Sequence, residues 1–187
     1  MVKWTRSSGL VGVAVLALLG SAAPGASQEV MGVAAQQVAD LETMKDKFVS
    51  LARAFDDGHM DWRPMEGVRS VKDVVDLMVA EVHLFPAMWG FTPPSQAQQG
   101  FMAEMTRVSE LSPDAAIAEL DSGFDFMIES VGSLSSERLH EPSDWFGTTF
   151  TLEAAIAQAI GDMHEHLGQF IAYARSNEVV PPWSAGG

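Results

Sequence analysis

The chain has 187 residues, 47% of them hydrophobic, so it can bury the core of one ordinary domain but not comfortably of two. Acidic residues outnumber basic ones by 25 to 11, giving a formal net charge of −14, and a surface of that sign repels phosphate backbones and excludes nucleic acid as an expected partner. The absence of cysteine excludes disulfides, thiolate metal ligands and a cysteine nucleophile.

The first 26 residues have the order of a secretory signal peptide. Lys3 and Arg6 make a basic start, residues 10–19 read LVGVAVLALL, and small residues follow as far as Ala26. The apolar run is too short to span a bilayer comfortably, so we expect cleavage and no stable membrane anchor afterwards. The sequence therefore predicts an exported protein, periplasmic or extracellular, whose domain covers residues 27–187.

Two helices are predicted in the first half of that domain. Apolar residues three and four positions apart predict the first from about Val30 to Phe55. Ser70 can cap the second, which carries a similar stripe until Pro86 ends or kinks it. A long loop follows, and residues 101–108 suit a short extra helix.

Two more helices are predicted in the second half. Ser112 can cap the third, with a proline and an acid in its first turn, and Gly132 lies at its end. Thr151 can cap the fourth, which runs to about Ser176. The intervening His140–Phe150 segment reads as an irregular connector, because no stretch alternates convincingly enough for a strand. Four amphipathic helices predict an all-α four-helix bundle, with loops long enough for connections between non-neighbours.

The fourth helix holds the most informative polar residues. Successive helical residues turn about 100°, so His164 and His166 point about 160° apart, whereas Asp162 and His166 share a face. Asp162 and His166 could therefore supply half of a metal site, or they could be a solvated or capping pair. His164 is expected to form a structural hydrogen bond, and His83 of the second helix is expected at the surface.

Three stretches together carry a family resemblance. They are DWRP at 61–64, GVRSV at 67–71, and HEHLGQFIAYARSNEVVPPWS at 164–184. They resemble the DinB family of helical bundles, which is related to the YfiT-like thiol-transferase group, and the resemblance covers about Gln37 to Trp183. It implies a four-helix bundle of the DinB/YfiT type with up-down-down-up order.

The resemblance also implies a site in which three histidines hold one divalent ion. The later fourth-helix ligand falls on His166, the earlier one falls on Asp162, and the second-helix ligand falls on Leu77, which cannot bind metal. Glu81, one turn beyond Leu77, could complete a Glu81, Asp162, His166 set; otherwise it pairs with a nearby arginine or reaches solvent. Two carboxylates with one histidine favour a harder ion than three histidines do, and Zn, Ni, Fe and Mn are all candidates.

Three functions remain open from the sequence. The first is a metal-dependent hydrolase or transferase acting on an unidentified small molecule, with hydrolysis favoured because the family's small thiols are cytoplasmic and this chain is expected to be exported. The second is a non-catalytic bundle that binds a small ligand and has a decayed metal site. The third is a module that binds a partner protein or forms a homodimer through an exposed helix face. Four tryptophans either plug the bundle ends or wall a pocket: Trp62, Trp89, Trp145 and Trp183.

Overall fold

The computed structural model describes residues 32–184 and contains the four long helices that the sequence predicts. Six α-helices occur in this part of the chain: α1 (Val33–Ala54), α2 (Val71–Met88), α3 (Phe101–Ser109), α4 (Pro113–Gly132), α5 (Ser136–Leu139) and α6 (Leu152–Ser176). Short 3₁₀ helices cover Asp57–His59 and Pro182–Ser184. None of the helices in residues 32–184 is both long and apolar enough to cross a membrane. The predicted signal peptide lies outside the described residues and stays a prediction.

The helix starts follow the local sequence. The Ser70 side chain accepts a hydrogen bond from the backbone of Asp73, whose carboxylate accepts one in return from the Ser70 N–H. Ser112 and Thr151 cap α4 and α6 in the predicted way. Pro86 does not end α2, which continues to Met88.

The segment before α6 differs from the prediction, because α5 precedes the predicted His140–Phe150 connector and a β-hairpin occupies most of it. β1 (Pro142–Trp145) pairs antiparallel with β2 (Thr148–Thr151). Each strand has only four residues and none of them is fully buried, so any alternation is too short to mark a strand in the sequence. Phe146 and Gly147 form the turn with φ angles of 48° and 85°, the two positive values of a type I′ turn.

The long helices follow the predicted up-down-down-up order. Two contacts for each helix pair show their relative direction. They are Asp40–His164 and Phe48–Phe170 for α1 and α6, Lys45–Asp125 and Arg53–Asp121 for α1 and α4, and Glu81–His166 with Arg69–Tyr173 for α6 and the segment formed by α2 and the loop before it. Helices α1 and α6 therefore run in one direction, and α2 and α4 run in the other. Both α1 and α2 pack against α4 and α6, which encloses one apolar core.

Helix α4 packs tightly against α2 at Gly123. A Cβ added there would lie 2.4 Å from Val82 Cγ2 and 3.1 Å from His83 Nε2. We expect Gly123→Ala to lower the free energy of unfolding by about 1–3 kcal/mol, the usual cost of overpacking a core. Gly168→Ala is the matched control, because nothing lies within 4 Å of its added Cβ and alanine favours an α-helix by up to about 1 kcal/mol. Urea denaturation of both variants measures the difference, and equal stabilities would contradict the close approach.

His83 is not at the surface, and that expectation was wrong. Its side chain is fully buried, and its Nδ1 lies 2.9 Å from an oxygen of Glu104, which is also buried. The outer face of α2 is covered by α3, so the helix is buried well beyond its apolar stripe. The Arg107 guanidinium bridges Glu104 to Glu119 of α4. This cluster therefore ties α3 to both α2 and α4.

Candidate metal site

Glu81, Asp162 and His166 come together between α2 and α6. His166 Nε2 lies 3.4 Å from Glu81 Oε1 and 3.8 Å from Asp162 Oδ2, and one ligand atom from each residue lies within 4.8 Å of the other two. Ligands about 2.1 Å from an ion are at most about 4.2 Å apart, and both carboxylates lie within that distance of His166 Nε2. The structure thus places the predicted set in one spot; that these residues bind a metal stays a prediction.

The three side chains of the site differ in how far they are exposed to solvent. The side chains of Glu81, His166 and Asp162 are 4%, 16% and 44% exposed, respectively. Glu81 Oε2 is buried without any hydrogen-bond partner. A buried carboxylate oxygen normally has a partner, because an unsatisfied one is costly. A divalent ion would satisfy that oxygen and offset the charges of the two carboxylates, so the donor set fits a metal.

Burial and the closeness of the three side chains shift the pKa values of Glu81 and His166. Burial raises the pKa of Glu81 above its usual value, and the nearby Asp162 raises it further, while His166 opposes the shift. The hydrogen bond to Glu81 raises the pKa of His166, burial opposes this, and Asp162 adds to it. A metal ion would therefore compete with protons here, because a histidine or carboxylate ligand must be deprotonated to bind it.

Leu77 stands where the family resemblance places a second-helix histidine. It is buried, only 2% exposed, and offers no ligand atom. Glu81 lies one turn further along α2, and its carboxylate reaches the face of α6 that carries His166. The partner of Glu81 is thus His166 and not an arginine side chain, although the charge of Arg69 lowers the pKa of Glu81.

Gln169 and Tyr173, which follow His166 on α6, form a chain of hydrogen bonds beside the site. The Gln169 side chain also raises the pKa of His166. Its amide donates a 2.8 Å hydrogen bond to the Tyr173 hydroxyl, which in turn donates to the Arg69 carbonyl oxygen at 3.0 Å. This chain links α6 to the loop before α2, and such outer interactions fix the orientation of a ligand side chain.

Asp162 opens into a small cleft, which we call the acidic cleft. Its volume is about 400 Å³, and its lining is Trp145, Phe146, Ala157, Gln158, Gly161, Asp162 and Glu165. Trp145 therefore walls a pocket beside the site, as one sequence interpretation proposed. Trp89, by contrast, is 2% exposed and belongs to the core. Of the three site residues, Asp162 alone lines the acidic cleft, so the cleft meets the site at that carboxylate.

The neighbouring histidine of α6 plays a different part. His164 faces α1, where its Nε2 lies 2.9 Å from an oxygen of Asp40, which confirms the expected structural contact. His59 and His140 form local contacts with Asp56 and with the Ser136 carbonyl oxygen, respectively. No shared site of His164 and His166 is possible, because they point to opposite flanks of one helix.

Comparison with known proteins agrees with this architecture. The sequence model of the DinB superfamily matches residues 40–170. This range is more than half of the chain and includes all three site residues. Comparison with curated proteins gives no match.

Solved structures of similar fold come from several bacteria. A DinB-like protein of Bacillus cereus is 11% identical with a TM-score of 0.65, covering 78% of this chain and 93% of its own. YjoA, a DinB-like protein of Bacillus subtilis, is 18% identical with a TM-score of 0.60 and the same coverage. YfiT of Bacillus subtilis, described as a probable metal-dependent hydrolase with an unusual four-helix bundle topology, is 15% identical with a TM-score of 0.62, covering 82% and 93%. At these identities the likeness concerns the fold.

Proposed function

The chain belongs to the DinB superfamily, and from that premise we propose that it is a metal-dependent hydrolase whose divalent ion is held by Glu81, Asp162 and His166. The observation that carries the proposal is the meeting of these three side chains, of which Glu81 also has a buried oxygen, Oε2, without a partner. The description of YfiT as a probable metal-dependent hydrolase supports the reaction class. The fold alone would not, because one fold serves many functions.

Each residue has a distinct part in the proposed site. Glu81 supplies a carboxylate that packing holds in place, His166 supplies Nε2, and Asp162 supplies the ligand at the cleft. A bound divalent ion would supply Lewis acidity toward a carbonyl or phosphoryl oxygen and toward water. Glu165 lines the same cleft, and its carboxylate can accept the proton that water loses when it attacks.

The proposed reaction is simple hydrolysis. The oxygen of water bonds to the acyl carbon of an ester, the bond from that carbon to the leaving oxygen breaks, and a proton ends on the leaving group. Trp145 and Phe146 flank the acidic cleft and give it an aromatic wall against which a substrate can pack. No further reactant is needed.

Hydrolysis of nitrophenyl esters tests the reaction class. We expect turnover of a nitrophenyl ester by the Zn²⁺- or Mn²⁺-loaded protein, its loss after treatment with a chelator, and its return when the ion is restored. Asp162→Asn should lower the rate at least about tenfold, because an amide is a poorer ligand than a carboxylate. An unchanged rate in chelator would contradict the proposal.

A second function has its own support. Leu77 removes one expected ligand, and a second, apolar cleft lies near the site, so a non-catalytic ligand-binding bundle is the alternative. Binding of small carboxylic acids with apolar chains, without any metal-dependent turnover, would favour this alternative.

We also propose that the protein is exported. The support is the basic, apolar and small-residue order of residues 1–26. Mass spectrometry of the protein from the periplasm or medium should give a chain that begins between residues 23 and 27, whereas an uncleaved chain in the cytoplasm would contradict export.

A further inference from the structure

Several exposed apolar side chains converge on one concave surface, which we call the apolar cleft. Met88, Phe101 and Phe146 remain 42%, 44% and 74% exposed, and all three line this cleft of about 430 Å³. Phe85 and Phe91 extend the apolar lining. Exposed apolar side chains are ordinary when scattered, but a concave cluster of this size is typical of a binding site for a small molecule.

The wall formed by residues 98–101 is held in place by buried charge. The Gln98 N–H donates a 2.6 Å hydrogen bond to Glu104, whose side chain is fully buried and also contacts His83 and Arg107. The opposite wall is α2. The apolar cleft is thus a formed feature of the fold, since both walls are anchored to the core.

Phe146 belongs to both clefts. It lines the apolar cleft together with α2 and α3, and it lines the acidic cleft together with Asp162. Its ring packs against Trp145, which in turn packs on Phe85, with centroid separations of 5.0 Å in each case. One exposed aromatic side chain therefore separates the apolar cleft from the candidate metal site.

The backbone at Phe146 is unfavourable for an aromatic residue. Its φ of 48° occupies the first position of a type I′ turn, which asparagine, aspartate and glycine prefer. Phenylalanine is strained there, and its ring gains little burial in return. Strain of this kind concentrates at ligand-binding positions.

We propose that the substrate carries an apolar acyl or aryl group that occupies the apolar cleft, while its reacting carbonyl lies in the acidic cleft, with Phe146 as the specificity-determining residue between them. This inference rests on the proposed hydrolase function. The occupant is a small molecule because the cleft has the volume of a small-molecule site and shares Phe146 with the acidic cleft, which Asp162 lines.

Binding of butanoate, hexanoate and octanoate to the full chain tests the proposal. Each acid places a carboxylate toward the ion and a chain of different length toward the apolar cleft. We expect affinity, measured by NMR chemical-shift titration with Zn²⁺ bound, to rise with chain length by up to about fourfold per methylene. Zinc binding itself is measured separately by calorimetry.

Three variants locate the surface that binds the alkyl chain. Phe101→Glu should abolish the dependence on chain length, whereas Met102→Glu should keep it, because Met102 is 74% exposed and outside the cleft lining. Phe146→Asn should weaken the dependence and yet raise the melting temperature, since asparagine suits the turn. A purely structural role for Phe146 would not combine these two effects.

The possible outcomes separate the two proposals. If zinc binds but the protein has equal affinity for all three acids, the apolar subsite is overturned and the hydrolase proposal is not. Affinity that rises with chain length although zinc does not bind supports the subsite and overturns the hydrolase. If sedimentation shows a dimer that Phe101→Glu converts to a monomer, a second copy of the chain covers the cleft and the subsite is overturned.

Discussion

His166→Ala is expected to lower the affinity for a divalent ion by about a hundredfold or more. Changing a residue that merely supports a ligand already costs about 10–100-fold in metal affinity, and His166 is a ligand in the proposed site. Its Nε2 faces both carboxylates, at 3.4 Å from Glu81 and 3.8 Å from Asp162, so its loss removes the atom that links them. Isothermal titration calorimetry with Zn²⁺ and Mn²⁺ measures the change.

His164→Ala is the matched control for this experiment. His164 lies two residues earlier on α6, but it faces Asp40 on α1 and both side chains are partly exposed. Removing an exposed polar contact of this kind costs at most about 1 kcal/mol of stability, so the fold should persist. We expect metal affinity to stay within about twofold of that of the unmodified protein, because no ligand is lost. Equal losses in both variants would indicate nonspecific binding to an acidic surface.

Glu104→Gln is expected to have the largest effect on stability. The glutamate is fully buried and contacts His83 and Arg107, and it also accepts the Gln98 N–H. Glutamine preserves the volume but removes the charge, leaving the Arg107 guanidinium with only Glu119. We expect the free energy of unfolding to fall by about 3 kcal/mol, the usual cost of breaking a buried ion pair.

The pH dependence gives this prediction a second readout. Burial alone would raise the pKa of Glu104, but hydrogen bonds from Arg107, the Gln98 backbone and His83 outweigh it and lower the pKa from 4.5 to about 2. The carboxylate therefore contributes its full stabilisation above pH 4.5 and loses it as the pH falls toward 2. The difference between Glu104→Gln and the unmodified protein should shrink over that range.

Glu110→Gln controls for the loss of a negative charge near the same helix. Glu110 is exposed and follows the last residue of α3. Substitutions at such positions usually change stability by less than about 0.5 kcal/mol. Urea denaturation of the two variants should differ accordingly, and similar stabilities would contradict a structural role for the buried cluster.

The sequence predicted the bundle because each long helix carries its own signals. Ser70, Ser112 and Thr151 mark three starts, and the apolar stripes are long enough to reveal the helical period. The sequence did not predict the hairpin, because its two short strands contain no fully buried residue. His83 was misplaced because a stripe shows only which face meets the main core, and α3 covers the other face of α2.

The candidate site was predicted in part for equally physical reasons. Asp162 and His166 share a helical face, which the sequence shows directly, and the family resemblance drew attention to Glu81 near Leu77. The distance between Glu81 and His166 depends on how α2 packs against α6, which no local pattern encodes. The two clefts depend on where the tip of the hairpin places Phe146, so they emerge only from the three-dimensional structure.

Metal content tests the central claim most directly. The protein should be purified without chelators and without a histidine tag, incubated in turn with Zn²⁺, Mn²⁺, Fe²⁺ and Ni²⁺, and freed of excess ion before elemental analysis. The site formed by Glu81, Asp162 and His166 predicts one ion per chain with at least one of these metals. Substoichiometric metal in every case would contradict it.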